Sequence, residues 1–517
     1  MSQTVEKKQD TRNAVFRVFL AACALALQIW WLYAQISKLT AHFSGAAPIV
    51  SGVSVLIALI IYGRHMNAAM KLVWIFLVLA FPFFGVPFYV LVGLNTSTRH
   101  MRQRYEKIDR VLSRYMKQDP EVFLSLERAD RQAANQFRYL KDYCGFPAFR
   151  NTDVDYFDNA SDAFEAQLEE LRRAREFIFM EYHAIEQKQA FSRLHAVLRE
   201  RAAAGVEVRI FYDEVGSMGF IDRDFIGRMK KDGIRCRVFN PVVPVLNLFM
   251  NNRDHRKITV IDGKTAFTGG YNLADEYFNI THPYGHWLDT GVRIRGDAVR
   301  SMTAIFLENW NAIRHDDTDD ADPSRYLALR PYTSLEKGWC QPYADSPLDE
   351  EHTGENVYMN LVNSAEHYVW FITPYLLITD EMSRILGLAA KRGVDVRIIT
   401  PGIPDKKFVY CATRSYYAYL VRRGVRIFEY TPGFCHAKQA VSDDKIAVCG
   451  TINLDYRSLY HHFENGVLMY DFQAVRDMRH MFEDTFPVCR EVTEKYKKRP
   501  HAIRIGHGLL RLISPML

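Results

Sequence analysis

Two stretches decide how this chain is read: HRKITVID at 255–262 and HAKQAVSD at 436–443. Both follow one pattern, His255-x-Lys257-x-x-x-x-Asp262 and His436-x-Lys438-x-x-x-x-Asp443. Each is followed at the same offset by a small-residue turn and an asparagine, Gly269-Gly270-x-Asn272 and Gly450-Thr451-x-Asn453. Residues two apart on a strand point to the same face, so each copy sets an imidazole beside an ammonium group. Brought together, the two faces would form one site suited to a phosphate.

Working outward, the repeat extends well beyond the motif. Glu176 to Ile185 resembles His367 to Leu377, both dense in β-formers and followed by a helical stretch. Gly205-Val-Glu-Val-Arg-Ile210 matches Gly393-Val-Asp-Val-Arg-Ile398, and the segment from Gly233 matches that from Gly424. Strands alternating with helices in this order predict an α/β fold of two lobes related by a pseudo-twofold axis, each a mixed sheet flanked by helices. The first lobe is expected over 140–315 and the second over 357–490. An acidic, proline-bearing linker is expected over 316–356, and a solvated, charged helical connector over 99–139.

The first 98 residues differ in kind and read as a membrane anchor. Val18 to Ser37 has no charged residue and carries Trp30, Trp31 and Tyr33 toward one end, as a spanning helix with an interfacial belt does. No small-residue cleavage pattern follows it, which argues against a signal peptide. Ala46 to Gly63 is a second expected span. Leu72 to Leu94 is apolar too, but Pro82, Gly85 and Pro87 interrupt it, so a kinked or re-entrant segment is expected. Lys and Arg clusters lie before the first run, between the second and third, and after the third. All three can be cytoplasmic only if the third run dips in and returns, so two spans plus a re-entrant segment are preferred over three spans.

Composition adds limits. The 517 residues carry a formal charge of +6, a mild excess that suits an anionic membrane surface without identifying a partner; charge alone does not decide against nucleic acid, but the expected spans argue against a nuclease, so no nucleic acid partner is expected. The eight cysteines form no CxxC pair, so free thiols and no zinc site are expected.

The residue types then indicate chemistry. One unprotonated imidazole can attack phosphorus while a second protonates the departing oxygen, which His255 and His436 can supply. Lys257 and Lys438 can neutralise the non-bridging oxygens, and Asn272 and Asn453 can donate hydrogen bonds to them. Such a site calls for no metal and no cofactor. Each imidazole needs an orienting group, and an acid precedes a β-like run downstream of each motif: Asp289 and Glu464. Asp262 and Asp443 complete the candidate catalytic set of six motif residues, and both are expected to serve it structurally by tying the following turn to the lobe. His282, His286, His461 and His462 are expected to be loop or surface residues. A duplicated fold without activity would not be expected to keep both histidines and both lysines.

With these motifs in view, the chain resembles the phospholipase D superfamily, whose mark is the paired HxKxxxxD motif, and within it the bacterial cardiolipin synthases. Trp74, Pro82, Gly85, Tyr89 and Gly93 are spaced as in that family's membrane segment. Gly205-Val-Glu-Val-Arg with Asp213 and Gly216-Ser217, Thr373-Pro374-Tyr375, and Gly433-Phe434-x-His436-Ala437-Lys438 also match. The resemblance runs from about Val73 to the C-terminus. It implies a phosphatidyl-histidine intermediate, with His255 as nucleophile and His436 as general acid. It further implies transfer between two phosphatidylglycerol molecules, giving cardiolipin and glycerol in a bacterial cell (inner) membrane, with a multi-pass anchor and cytoplasmic lobes. The run Val18 to Ser37 is one apolar segment more than the family pattern includes.

Two further segments suit a lipid partner. Pro241 to Met250 (PVVPVLNLFM) is an apolar loop directly before the first motif. The tail over 491–517 mixes Lys497, Lys498, Arg499, Arg504 and Arg511 with Ile503, Ile505, Leu509, Leu510 and Leu512, a basic amphipathic pattern. A hydrolase of the same fold using water, and a silent membrane scaffold, are the competing readings. The acceptor alcohol and the oligomeric state are left open by sequence.

Overall fold

Phe177–Tyr182 (FIFMEY) offers almost nothing to water, and it becomes a strand buried along its whole length. The structure, a computed structural model, describes residues 30, 47–93, 96–241, 252–313, 322–497 and 502–516. It falls into two compact units, Met1–His100 with Gly508–Leu517, and Met101–His507. The expected span over 18–37, apart from Trp30, the apolar loop 242–250 and residues 316–321 of the acidic stretch lie outside the described residues.

In the larger unit the first lobe contains β1 (Thr152–Phe157), β2 (Phe177–Tyr182), β3 (Glu207–Asp213), β4 (Arg235–Phe239) and β5 (Arg253–Asp254). It continues with β6 (Lys257–Ile261), β7 (Thr265–Gly269), β8 (His286–Leu288) and β9 (Gly291–Gly296). The second lobe contains β10 (Trp339–Asp345), β11 (Tyr368–Ile372), β12 (Leu376–Leu377), β13 (Asp395–Pro401), β14 (Arg426–Tyr430) and β15 (Gly433–Cys435). Then follow β16 (Gln439–Ser442), β17 (Ile446–Gly450), β18 (Leu454–Asp455), β19 (His462–Tyr470) and β20 (Cys489–Glu491). The first sheet has the order β1-β9-β7-β6-β2-β3-β4, and the second β10-β19-β17-β16-β11-β13-β14-β20. Strand for strand the orders correspond, with β20 added. In both, three parallel strands meet an antiparallel half at the motif strand. Helices such as Gln189–Ala203 and Asp380–Lys391 connect the parallel strands, as expected for crossover connections.

The lobes share one core. Phe179, Val260 and Val292 of the first belong to the same buried cluster as Val441, Cys449 and Val467 of the second. Asn465 donates its side-chain amide to the Thr268 hydroxyl across the junction at 2.9 Å.

Three sequence expectations need correction. The stretch 316–356 is not all linker, because β10 pairs with β19 from Trp339↔Tyr470 to Asp345↔Glu464. Pro342 hid this strand, and it is tolerated because β10 lies at the sheet edge, where a missing N–H costs no ladder bond. The second lobe does not end at 490: β20 pairs antiparallel with β14, and Tyr496 is buried against Tyr417 at a ring distance of 4.9 Å. Three residues are too few to show a strand's alternation. The connector 99–139 is helical as expected, over Thr96–Leu112, Pro120–Ala129 and the start of Arg131–Asp142, but it is not simply solvated. Tyr105, Leu126 and Phe137 are buried, and the Tyr105 hydroxyl donates to Asn309 Oδ1 at 2.7 Å.

The smaller unit contains the helix Ala47–Gly63, the helix Ala68–Ala80, the short helix Pro82–Phe88 and a π-turn segment, Tyr89–Gly93. The chain breaks at Phe81, directly before Pro82, which starts the next helix where its missing N–H costs nothing. Gly85 packs so closely on the preceding helix that a Cβ there would lie 2.3 Å from the Leu77 carbonyl oxygen. By Gly93 the chain has returned to the end of the first helix, where Arg64 Nη1 donates to the Gly93 carbonyl at 3.3 Å. Among the described residues no helix is long and apolar enough to cross a membrane. The C-terminal tail forms the helix Ala502–Ile513.

Candidate active site

Each motif histidine is delivered by a short strand that pairs with the other lobe. β5 runs parallel to β19, and β15 runs parallel to β8. The ladders end at the histidines themselves: His255 N–H donates to the Phe463 carbonyl at 2.9 Å, and His436 N–H to the Leu288 carbonyl at 2.7 Å. β5 is fixed in turn by Arg253, whose guanidinium donates to both oxygens of buried Asp213 at 2.9–3.0 Å.

This exchange brings each imidazole to the opposite lobe's acid. His255 Nδ1 lies 2.9 and 3.0 Å from the Glu464 oxygens, and His436 Nδ1 lies 2.7 Å from Asp289 Oδ2. The two acids singled out in the sequence are therefore the imidazoles' partners, but the pairing is crossed between lobes. A proton held on Nδ1 leaves Nε2 with its lone pair in the neutral ring. Glu464 also accepts from the Thr451 and Ser458 hydroxyls at 2.5 Å each, and Asp289 Oδ1 accepts from the Thr290 N–H at 3.0 Å.

The lysines stand beside their histidines. Lys257 Nζ donates to the His255 carbonyl at 2.6 Å, and Lys438 Nζ donates to the His436 carbonyl while lying 2.7 Å from its Nδ1. Burial and the neighbouring lysines set the protonation states. Burial first, then Lys257, His183, His462 and Lys438, hold His255 well below the ordinary imidazole range. Burial and Lys438 push His436 down to about 4, against the pull of Asp289. Burial lowers Lys257 to about 8 and Lys438 to about 7, each opposed by Glu464 and Asp289. Lys438 acts on His255, Lys257 on His436, and Lys257 on Lys438, so the four groups share one electrostatic environment.

The other sequence candidates are placed differently. Asn272 is committed to the protein: Oδ1 accepts from the Ala184 N–H at 3.1 Å, and Nδ2 donates to the Tyr277 hydroxyl at 2.8 Å. Asn453 is buried, and its Oδ1 has no hydrogen-bond partner among the described residues. Asp262 and Asp443 do not face the imidazoles. They end the motif strands about 17 Å further along. Each adopts a left-handed backbone, with φ of 53° and 54°, and turns its carboxylate onto three backbone N–H groups at the start of the central strand. Asp262 accepts from Arg175, Glu176 and Phe177 at 2.8–2.9 Å. Asp443 accepts from Glu366, His367 and Tyr368 at 2.8–2.9 Å. The repeated motif thus joins a chemical end to a structural end, and the expected tie to the following turn is instead a tie to the neighbouring strand. Asp262→Ala is expected to lower folding stability by about 1–3 kcal/mol, since it strands three backbone donors, that of Phe177 buried and those of Arg175 and Glu176 partly buried, and leaves alanine at a positive φ. Denaturant unfolding of the full chain measures this.

Sequence reasoning missed two imidazoles. His183 lies with its ring 5.0 Å from that of His255 and its Nδ1 2.6 Å from the Asp254 carbonyl oxygen. His462, expected at the surface, has its ring 5.5 Å from that of His255 and its side chain only 11% exposed. Both positions were accessible to reasoning: His183 follows the central strand β2 directly, and His462 is two residues from Glu464 on one strand face. Around His436 the neighbours are aromatic, with Tyr277, Trp287 and Phe434 at ring distances of 5.1, 5.4 and 5.9 Å.

Two lobes with crossed histidine–carboxylate pairs and two buried lysines define a phospholipase D-like protein. The chain belongs to the cardiolipin synthase family with PLD-like domains, whose model matches residues 168–310 and 358–486. A phospholipase D-nuclease N-terminal model matches 52–93. The chain is 38% identical to an uncharacterized protein of Streptococcus mutans serotype c, over 89% of this chain and 99% of that one. It is 31% identical to a cardiolipin synthase of Geobacillus kaustophilus, over 99% of this chain and all of the relative. The fold is shared with phosphatidylserine synthase of Haemophilus influenzae, at a TM-score of 0.55 and 14% identity, over 74% of this chain and 99% of that one.

Proposed function

We propose that the chain is a phosphatidyltransferase that joins two phosphatidylglycerol molecules into cardiolipin and releases glycerol. The observation that carries this reading is the reciprocal pair His255–Glu464 and His436–Asp289, with Lys257 and Lys438 between. Family membership supports the lipid substrate.

In the first step the Nε2 lone pair of His255 forms a bond to phosphorus as the bond to the glycerol oxygen breaks, and His436 gives that oxygen its proton. In the second step His436 takes the proton from a headgroup hydroxyl of another phosphatidylglycerol. That oxygen bonds to phosphorus and His255 departs unchanged. His436 must be protonated for the first step. The bound phosphodiester supplies the negative charge that raises it from about 4. Lys257 and Lys438 neutralise the charge that grows on the non-bridging oxygens. The side chain of Asn453, and Asn272 if released from Tyr277, are the additional phosphate donors in this reading.

The alkaline limb follows from the lysines. A lysine whose pKa is lowered is charged only below that value, so kcat/KM is expected to fall as the pH rises through about 7 to about 8, far under the ordinary 10.5. A pH–rate profile measures it.

The N-terminal unit is read as a membrane anchor in which 72–94 re-enters rather than crosses. The turn at Phe81 and the return of Gly93 to Arg64 support this, and it leaves the basic clusters on one, cytoplasmic, side. The run 18–37, which apart from Trp30 lies outside the described residues, and the run 46–63, whose described helix Ala47–Gly63 is by itself too short to cross, would together form the anchor, and the basic tail helix would lie on anionic lipid.

Purified protein in mixed micelles with phosphatidylglycerol is expected to yield cardiolipin and glycerol in equal amounts. Phosphatidic acid without cardiolipin would make it a hydrolase, and no turnover would make it a scaffold.

A further inference from the structure

His462 has no evident task in phosphatidyl transfer. Both of its ring nitrogens are buried, and neither has a hydrogen-bond partner among the described residues. An imidazole shut away from water without a partner forfeits the hydrogen bonds it had in solvent, so its position calls for a ligand. Its Nδ1 lies 3.6 Å from Glu464 Oε1, and one ligand atom from each of His255, His462 and Glu464 falls within 4.8 Å of the others.

We propose that His255, His462 and Glu464 form an inhibitory site for a divalent transition-metal ion of the zinc type.

Two imidazoles and a carboxylate are a donor set that such ions favour, with bonds of about 2.0–2.1 Å. Tetrahedral geometry then needs donor atoms about 3.4 Å apart. The Glu464–His462 separation, 3.6 Å, and the Glu464–His255 separation, 2.9 Å, already lie near this value, so the imidazole–imidazole gap alone has to close. Glu464 and Asp254 favour a cation there, and Lys257 and Lys438 oppose it, which sets the affinity below that of a permanent structural site.

The consequence does not depend on which nitrogen of His255 binds. Coordination through Nε2 occupies the lone pair that attacks phosphorus. Coordination through Nδ1 displaces the proton shared with Glu464 and leaves it on Nε2, where it blocks attack equally. The inhibitory part of this inference rests on His255 as the nucleophile.

Cobalt(II) titrated into the full chain in detergent, without lipid, reads the site directly through its visible absorption. The expected result is a tetrahedral band that saturates at one equivalent, is bleached by Zn2+, and needs at least about tenfold more cobalt in His462→Gln. His255→Asn is expected to weaken it likewise and decides the matter if His462→Gln does not fold. In the assay with phosphatidylglycerol, Zn2+ is expected to inhibit and a chelator to restore turnover. Absence of the band, or an unchanged titration in both variants, overturns the site. Because cobalt binding is read without lipid, that failure would leave phosphatidyl transfer standing, and failure to make cardiolipin would leave the metal site standing.

Discussion

His255→Asn and His436→Asn are each expected to reduce cardiolipin formation by about ten-thousand-fold or more, and the double variant by no more than either alone. Asparagine fills much of the imidazole's space and can still hydrogen-bond to the carboxylate across the lobe junction, so the change falls on chemistry rather than packing. In the proposed mechanism the chain without His255 can form no covalent intermediate, and without His436 the leaving glycerol alkoxide would have no proton donor. Groups acting in one concerted step do not add, so losing the second after the first costs little. Quenched reactions with labelled phosphatidylglycerol separate the roles: His436→Asn is expected to retain slow labelling of the protein, and His255→Asn none. Labelling that survives in His255→Asn and vanishes in His436→Asn would exchange the two assignments. Full turnover in the double variant would remove the site altogether.

The parts of this site that were legible in the sequence are those encoded by local spacing. His-x-Lys on a strand puts two side chains on one face, and a second copy at an equivalent place in a repeat announces a second face. Asp289 and Glu464 were legible as acids ahead of β-like runs. Which imidazole each one meets was not, because the exchange of β5 and β15 between lobes is a tertiary arrangement that leaves no trace in local pattern. Asp262 and Asp443 illustrate a different limit. The motif's regular spacing places them beside the chemistry in sequence, but the strands Lys257–Ile261 and Gln439–Ser442 carry them to the other end of the sheet. His462 reads as a surface residue from its place beside a loop, and the fold buries it because β19 runs directly under the site. The alternation with Glu464 was the better guide. Pro342 hid β10 for the reason that prolines hide edge strands generally.

The crossed carboxylates are not equivalent, and their hydrogen bonds say which one tolerates an amide. Asp289 Oδ1 accepts from a backbone N–H, that of Thr290, which cannot reverse its polarity. In Asp289→Asn the amide oxygen is therefore held at that N–H and the NH2 group is turned against His436 Nδ1. That forces the ring proton onto Nε2 and repels the imidazolium, so His436 fails both as acid and as base, at an expected cost of about ten-thousand-fold in kcat. The remaining hydrogen-bond partners of the Glu464 carboxylate are hydroxyls, those of Thr451 and Ser458, which rotate to donate or accept as needed. In Glu464→Gln the amide oxygen can remain toward His255 Nδ1, and the loss reduces to the missing negative charge beside the phospho-imidazole, about a hundredfold. Steady-state rates on phosphatidylglycerol measure both, with thermal melting to establish that the variants fold. Asp289→Asn within about tenfold of the parent rate would refute the tautomer argument. Since Asp289 belongs to the first lobe and His436 to the second, and Glu464 and His255 the reverse, neither lobe holds a complete pair by itself. In the proposed mechanism the catalytic unit is therefore the pair of lobes, each half supplying the carboxylate that orients the other's imidazole.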